Sequence, residues 1–230
     1  RPAVLCPGPR TVAIMSATHT VTNQVPPLAG HDPIAGDAAL AEACVRHADT
    51  ATLASLADLG RLAGSEQAQE WGRLANENPP KLRTHDRYGH RIDEVEFHPA
   101  WHELMRMVWA SGTHSIAWTE QRPGAHIARF ALCYLWNQAE NGVMCPTAMT
   151  YAGVPVLRRG GEAGARWAQK VVSTRYDPRP LPAAQKSGAI CAMAMTEKQG
   201  GSDLRAVTTR AEPALDGTWR IFGHKWFFSV

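Results

Sequence analysis

A proline-rich segment separates two parts of this chain that differ in their hydrophobic patterns. Residues 175–188 contain Pro178, Pro180 and Pro182, and prolines at alternate positions exclude both a continuous helix and a central strand. Before this segment apolar residues recur at helical spacing, and after Gly188 they form short runs typical of strands. The sequence therefore predicts an α+β protein with a helical domain, an extended linker and then a β domain.

Five segments are predicted from this pattern. They are an upstream tail without stable structure (1–15), an extended arm (16–36), the helical domain (37–174), the linker (175–188) and the start of an incomplete β domain (189–230). Met15 is the first methionine, so we expect it to be the true start. Val230 ends the chain inside an expected strand, which would leave an unpaired apolar edge. We therefore expect an N-terminal fragment of a longer protein.

Capping residues and apolar spacing predict the individual elements. Helices are expected at about 37–47, 52–62, 65–76, from Pro99 after the cap His98, and at 125–141, 146–159 and 163–173. The expected buried stripe of the helix from Pro99 is Trp101, Leu104, Met105 and Val108, and the helix at 125–141 is predicted from the helical spacing of Ile127, Phe130, Ala131, Tyr134 and Leu135. Residues 81–96 are predicted as a charged loop or a short hairpin, and strands are predicted at 189–195, 206–212, 219–222 and 226–230.

Composition limits the class of protein. The chain has 230 residues, of which 44% are hydrophobic and 20% charged, so it is globular and not disordered. A net charge of +3 does not by itself indicate a nucleic-acid-binding face. No apolar run approaches the roughly 18 residues that span a bilayer, so no membrane partner is expected. The five scattered cysteines lack a Cys-x-x-Cys pair, which favours reduced, buried thiols in a cytoplasmic protein.

The stretch Ala192–Asp203 has the composition of a strand that leads into a ligand-binding loop. Adjacent Gly200 and Gly201 permit unusual backbone angles and close approach of a ligand. Successive backbone amides in such a loop can bind an anion, and Thr196 and Ser202 add hydroxyls. A plain surface turn is the alternative reading of this loop taken alone.

A second stretch, Thr218–Val230, makes a ligand site the better interpretation. Its alternation around Gly223 predicts two short strands joined by a turn, followed by aromatic residues and the hydroxyl of Ser229. An aromatic wall beside a hydroxyl suits a planar ring system, which can stack and accept a hydrogen bond. We therefore expect the two stretches to hold a flavin dinucleotide together.

These two stretches resemble the central signature of the acyl-CoA dehydrogenase family, and the chain as a whole is most similar to its AidB branch. That branch comprises bacterial flavoproteins of the adaptive response to DNA alkylation. The residues that carry the resemblance are Met195–Asp203, Gly223–Ser229, Thr18–Gln24, Gly72–Pro80, Phe97–His102 and Cys145–Tyr151. The resemblance implies an all-helical N-terminal domain followed by the beginning of a β-barrel-like middle domain.

The resemblance also implies half of an FAD site. The residues expected at the flavin are Met193, Ala194, Met195, Thr196, Ser202, Phe227, Phe228 and Ser229. Within this set Thr196 would meet the polar ring edge and Ser202 the pyrophosphate. Phe227 stands where most relatives have Trp, and Ser229 where they have Thr. Lys198-Gln199-Gly200 stands where most relatives have Pro-Gly-Ala, which puts ordinary fatty acyl-CoA specificity in doubt.

By resemblance the full-length protein is an FAD-dependent oxidoreductase acting on CH–CH groups and linked to repair of alkylated DNA. In the family the catalytic glutamate comes from a C-terminal helical domain, so no catalytic residue is predicted here and the fragment is expected to be inactive. Acyl-CoA, DNA bound through the C-terminal region, and a homotetramer are the implied partners. The alternatives are a flavin-containing DNA-protective protein without appreciable turnover, and a helical interaction module without a cofactor.

Three further sets of residues have a structural and a functional interpretation. His98 and His102 have i, i+4 spacing that can hold a metal, but His98 also caps a helix, and no metal site is predicted. Cys145 precedes Pro146 at a helix start, where a thiol pKa falls, although a buried structural thiol is the commoner case. The basic residues Arg158, Arg159, Arg166 and Lys170 are expected to form a solvated face.

Overall fold

The computed structural model describes Thr18 and residues 20–228. The predicted upstream tail (1–15) and Ser229 therefore lie outside the described residues. The helical domain contains, in chain order, α1 (Ala38–His47), α2 (Thr50–Ala63), α3 (Glu66–Glu77), β1 (Lys81–His85), β2 (Arg91–Glu96), α4 (Pro99–Ala110), α5 (Ile116–Thr119), α6 (Ala125–Ala139), α7 (Met144–Leu157) and α8 (Gly161–Val171). The β part contains β3 (Arg210–Pro213) and β4 (Trp219–Phe222).

Side-chain caps fix the starts of four helices. Asp37 Oδ1 accepts from Leu40 N at 2.8 Å, and Asp49 Oδ1 accepts from Thr52 N at 2.6 Å. Ser65 Oγ and His98 Nδ1 do the same for α3 and α4 at 3.2 and 3.1 Å. The predicted starts of α1, α3 and α4 are confirmed. The second helix begins at Thr50 and not at residue 52, because Asp49 is its cap.

The main apolar core lies where α2, α4 and α6 meet. Leu56, Leu104, Trp109, Leu135 and Trp136 are each at most 1% exposed. The stripe predicted for α4 is confirmed at Leu104, Met105 and Val108, whereas Trp101 is only half-buried.

The helix predicted from helical spacing at 125–141 is confirmed as α6, but two residues of that spacing lie outside its buried face. Phe130 is 58% and Tyr134 47% exposed, whereas Ala128, Leu132 and Trp136 are buried. The buried face is rotated because α6 packs on α2 on one side and sends Trp136 Nε1 to Ser111 Oγ on the other, at 3.1 Å. Aromatic rings at helical spacing therefore marked the wrong side of this helix.

His114 is buried between α4 and α5. Its ring stacks on Trp109 with centroids 4.4 Å apart, and Nε2 donates to Ser173 O at 3.1 Å. Nδ1 is buried and has no partner among the described residues. Burial lowers the pKa of His114 from 6.5 to about 4 because the charged ring would lose its hydration. The histidine thus joins the core to the end of α8 as a neutral group.

Residues 81–96 form the hairpin that the sequence left as one of two alternatives. Strands β1 and β2 pair antiparallel with a bulge between Arg83 and His85, and every residue of both strands is exposed. Asp86 accepts backbone hydrogen bonds from Tyr88 and His90 and so forms the turn. The hairpin carries no apolar core of its own, and the domain around it is otherwise helical.

The linker is folded back on itself, which corrects the expectation of an extended segment. The buried Asp177 carboxylate accepts from Arg179 Nε at 2.8 Å and from Ser187 N at 3.0 Å. Hydrogen bonds from Arg179 and Ser187 hold the pKa of Asp177 well below its usual range. Lys170 Nζ also donates to Lys186 O at 2.7 Å. The prolines exclude a long helix or strand here, and the linker has only a short 3-10 helix, Ala183–Gln185, but one carboxylate and one lysine still close the loop.

The β part has fewer strands than predicted. Strands β3 and β4 pair antiparallel from Arg210↔Phe222 to Pro213↔Trp219, which confirms the strand at 219–222 and shortens the one at 206–212. Residues 189–195 and 226–228 do not form strands, and residues 204–206 form a short 3-10 helix. A strand needs a neighbour over several residues, and between the two candidate stretches the described part of the chain has one isolated bridge, Glu197↔Lys225.

Among the described residues, no helix has the length and apolar character needed to cross a membrane.

We predict that the stability of the helical domain falls between pH 7 and pH 5 because of His114. The folded pKa is about 4 and the ordinary value 6.5, so the unfolded chain binds the proton first as the pH falls. Linkage gives a loss of about 2 kcal/mol at pH 5. Urea unfolding at both pH values measures it, and His114→Gln should lose most of this difference. An equal pH dependence in the variant would contradict the assignment.

We also predict that Gly72→Ala destabilises the domain even though Ala is the better helix former. A Cβ at Gly72 would lie 2.2 Å from Ala139 O, where α3 crosses the end of α6. Separating two backbones costs roughly 1–3 kcal/mol. Gly36→Ala is the control, because its Cβ would meet nothing closer than 3.8 Å. Denaturant midpoints of the two variants and of the parent chain provide the comparison.

Candidate functional site

The two stretches singled out in the sequence lie side by side. Trp226 N donates to Thr196 O at 2.9 Å, and Lys198 N donates to His224 O at 3.3 Å. Lys225 Nζ adds a hydrogen bond to Met195 O at 3.1 Å. The loop after Met195 and the segment after Gly223 therefore form one continuous surface.

Glu197 is the polar centre of this surface. Its side chain is 2% exposed. One carboxylate oxygen, Oε1, accepts from Thr209 N at 2.9 Å and from Lys225 Nζ at 3.1 Å. The other, Oε2, accepts from Thr208 N, the Thr208 hydroxyl and Gln199 Nε2 at 2.6 to 3.0 Å. One buried side chain thus joins three separate segments of the β part.

The donors around Glu197 favour its ionised form. Thr209, Thr208 and Gln199 each present a hydrogen bond to the carboxylate, and together they outweigh the cost of burial. They hold the pKa of Glu197 well below its usual range. The carboxylate is therefore charged at neutral pH, and both of its oxygens already accept hydrogen bonds from neighbouring groups. Sequence reasoning gave this residue no role, and its only signal was an acid placed between an apolar run and a glycine pair.

The loop between Glu197 and Ser202 closes tightly. Glu197 and Gly200 exchange two backbone hydrogen bonds of 3.0 Å each. A Cβ at Gly201 would lie 2.6 Å from Thr196 Oγ1, so glycine allows the loop to fold over that hydroxyl. Among the described residues, the hydroxyls of Thr196 and Ser202 have no hydrogen-bond partner, and Ser202 is exposed.

The apolar residues predicted at the ring are mostly exposed. Met193 is 41%, Met195 51% and Phe227 77% exposed, and Ala194 is half-buried. Phe227 also has a φ of 52°, a left-handed conformation that is unfavourable for a bulky residue. Phe227 therefore has little packing against the rest of the described chain. Its last predicted contributor, Ser229, lies outside the described residues.

Phe228 turns toward the helical domain. It lines a cavity of about 360 Å³ together with the start of α7 and the ends of α3 and the hairpin. Other residues that line this cavity are Asn78, Phe97, Trp101, Glu140, Cys145 and Pro146. Cys145 is exposed, which corrects the expectation of a buried thiol. Glu140, which sequence reasoning missed, accepts from Gly142 N and Val143 N at 2.8 and 2.7 Å and so positions the first turn of α7.

The two spaced histidines have structural roles. His98 caps α4, and His102 Nδ1 hydrogen-bonds to the Tyr176 hydroxyl at 2.8 Å. The expected solvated basic face is only partly correct, because Lys170 binds linker carbonyls and Arg158 Nη2 donates to Trp118 O at 2.9 Å.

Comparison with known proteins identifies the family. Residues 23–178 match the model of the adaptive response protein AidB N-terminal domain. The chain belongs to the AidB family, among the relatives of the acyl-CoA dehydrogenases. It is 46% identical over 215 residues to AidB of Escherichia coli (strain K12). It is 28% identical over 179 residues to acyl-CoA dehydrogenase family member 11 of Caenorhabditis elegans.

Solved structures show the same fold. The chain is similar to Caenorhabditis elegans ACDH-11, which was solved in complex with C11-CoA, with a TM-score of 0.73 and 24% identity over 91% of this chain and 36% of that one. It is similar to the apo form of Bd2924 with a TM-score of 0.71 and 23% identity over 85% of this chain and 39% of that one. The chain spans 40% of the length of Escherichia coli AidB and 28% of the Caenorhabditis elegans relative.

The residues present fit the flavin that the resemblance implies. Gly201 leaves room for the Thr196 side chain, with which any Cβ at that position would clash, and among the described residues the Thr196 and Ser202 hydroxyls are not bound to other groups. The exposed Met193 and Met195 offer the apolar surface that a planar ring requires. The half of an FAD site that this chain would carry, called the half-site below, therefore has polar groups on its loop and apolar side chains beside that loop.

We predict that Gly201→Ala disturbs this loop and that Thr196→Ala relieves the disturbance. The new Cβ would lie 2.6 Å from Thr196 Oγ1 and 2.9 Å from Cγ2, and both of those atoms are absent from alanine. Limited trypsin cleavage after Lys198 measures loop opening. Cleavage should be faster in the single Gly201 variant and return toward the parent rate in the double variant. Additive effects would show that the two residues are not in contact.

Proposed function

We propose that this chain supplies the helical domain and half of the FAD site of an AidB-type flavoprotein. The pairing of Thr196 with Trp226 carries the proposal, because it joins the two stretches that resemble the flavin signature of the acyl-CoA dehydrogenases. Membership of the AidB family supports the same role.

In this proposal each residue of the half-site binds a different part of the cofactor. Thr196 and the backbone of Met193, Ala194 and Met195 hold the polar edge of the ring, and Ser202 binds the pyrophosphate. By resemblance, the rings of Phe227 and Phe228 and the hydroxyl of Ser229 complete the ring side. When bound, FAD supplies the hydride acceptor for oxidation of a CH–CH bond.

Glu197 is not a suitable base for such a reaction. Glu197 is the acid nearest to the half-site in sequence, but its two oxygens already accept five hydrogen bonds, including the one from Lys225. A charged, saturated carboxylate does not take a proton from a substrate. We therefore place the catalytic base, acyl-CoA contacts and tetramer contacts in the part of the relatives that this chain does not span.

A chimera tests the proposal. This chain is followed by the portion of Escherichia coli AidB beyond the aligned region, and the purified protein is examined for a visible flavin spectrum. We predict a yellow protein whose FAD affinity falls at least tenfold in Thr196→Ala and Ser202→Ala, because each loses a hydrogen bond to a charged or polar group. Thr84→Ala, an exposed hydroxyl of β1, is the matched control. A colourless parent chimera, or unchanged affinity in both variants, would refute the half-site.

A second candidate function is protection of DNA with the flavin retained mainly as structure. The exposed, left-handed Phe227 in place of the Trp of most relatives favours it, as does the family's description as an adaptive response protein. The chimera distinguishes the two. Reduction of its flavin by acyl-CoA supports a cytoplasmic dehydrogenase, whereas salt-dependent binding to duplex DNA without such reduction supports protection against alkylation damage.

A further inference from the structure

The β part of this chain is organised around a buried charge and not around apolar packing. Between residues 190 and 228, Glu197 alone falls in the buried class, whereas Trp219, Ile221 and Trp226 are 46% to 76% exposed. With so little apolar surface buried, hydrogen bonds must fix the path of the loop.

Lys225 connects this charge to the backbone of the half-site. Its ammonium donates to Glu197 Oε1 and to Met195 O, both at 3.1 Å. The adjacent residues Thr196 and Trp226 share a backbone hydrogen bond of 2.9 Å. The Glu197–Lys225 pair therefore determines where the carbonyl of Met195 and the hydroxyl of Thr196 lie. Neither charged side chain is needed for the helical domain, which has its own core.

We propose that Glu197 and Lys225 are positioning residues for the flavin, a role that rests on the proposed half-site. They do not contact the ring themselves. Glu197 hydrogen-bonds to the segments that contain Gln199, Thr208 and Lys225 and holds them together. Lys225 in turn hydrogen-bonds to the carbonyl of Met195 and so restrains Met195 and the adjacent Thr196. Without the pair, the loop keeps its chemical groups but loses their fixed arrangement. FAD binding would then have to order the loop, and the free energy needed for that ordering weakens the affinity.

Three variants of the chimera test the role. Glu197→Gln keeps the shape but presents an amide donor to a ring of donors, so at least one hydrogen bond is lost. Lys225→Met removes both ammonium contacts and leaves the other donors to Glu197 in place. Lys225→Arg restores a cation at the same position. Glu212→Gln is the control, because Glu212 is an exposed carboxylate on β3 that pairs with Arg210.

The measurements are the FAD dissociation constant, from quenching of flavin fluorescence, and the visible circular dichroism of the bound flavin, which reports ring orientation. Far-ultraviolet circular dichroism checks that each variant is folded. We expect Glu197→Gln and Lys225→Met to weaken FAD binding at least tenfold and to alter the visible dichroism, with Lys225→Arg recovering most of both. The Glu212 control should equal the parent.

The outcomes separate this role from the proposed function. A flavin-free parent chimera overturns the half-site and, with it, the positioning role. A yellow parent whose Lys225→Met variant binds FAD within twofold, with unchanged visible dichroism, overturns the positioning role alone. Should Glu197→Gln fail to fold, the Lys225→Met and Lys225→Arg pair decides the matter, since the buried carboxylate keeps its hydrogen bonds to Thr208, Thr209 and Gln199 in both.

Discussion

The buried Glu197 carboxylate is the interaction on which the β part of this chain depends. A carboxylate taken out of water costs several kcal/mol unless donors replace its hydration, and here five of them do so. Those donors come from three segments that share almost no apolar contact. The charge therefore selects one arrangement of the loops, in which the two stretches of the half-site adjoin.

Buried carboxylates have the same use at two other junctions. Glu140 connects the end of α6 to the first turn of α7 and accepts from Asn76 on α3 at 3.3 Å. Asp177 closes the linker by accepting from Arg179 and from Ser187. In all three cases the surrounding elements differ, but a buried carboxylate accepts from two backbone amides that would otherwise lack partners. Apolar packing stabilises the helices, and these three acids fix the conformation of the segments that connect the elements.

Sequence reasoning succeeded where the signal was local and failed where it was not. The caps Asp37, Ser65 and His98 fixed helix starts, because an N-cap acts within three residues of itself. Phe130 fits the helical spacing of α6 and yet is exposed, because periodicity does not reveal which neighbour a helix faces. Residues 189–195 had strand composition but no extended ladder, since pairing depends on a distant partner. For the same reason the sequence did not reveal that Glu197 joins three segments, because its hydrogen-bond donors lie up to 28 residues away.

The hairpin of β1 and β2 stands apart from every buried cluster of the domain. All of its strand residues are exposed, and its turn is held by Asp86 alone through local bonds. A foreign loop inserted between Tyr88 and Gly89 would therefore leave the helical core intact. That tip is the natural place to attach a fluorophore or an epitope without perturbing the half-site, and it is also where backbone nicking costs the fold least.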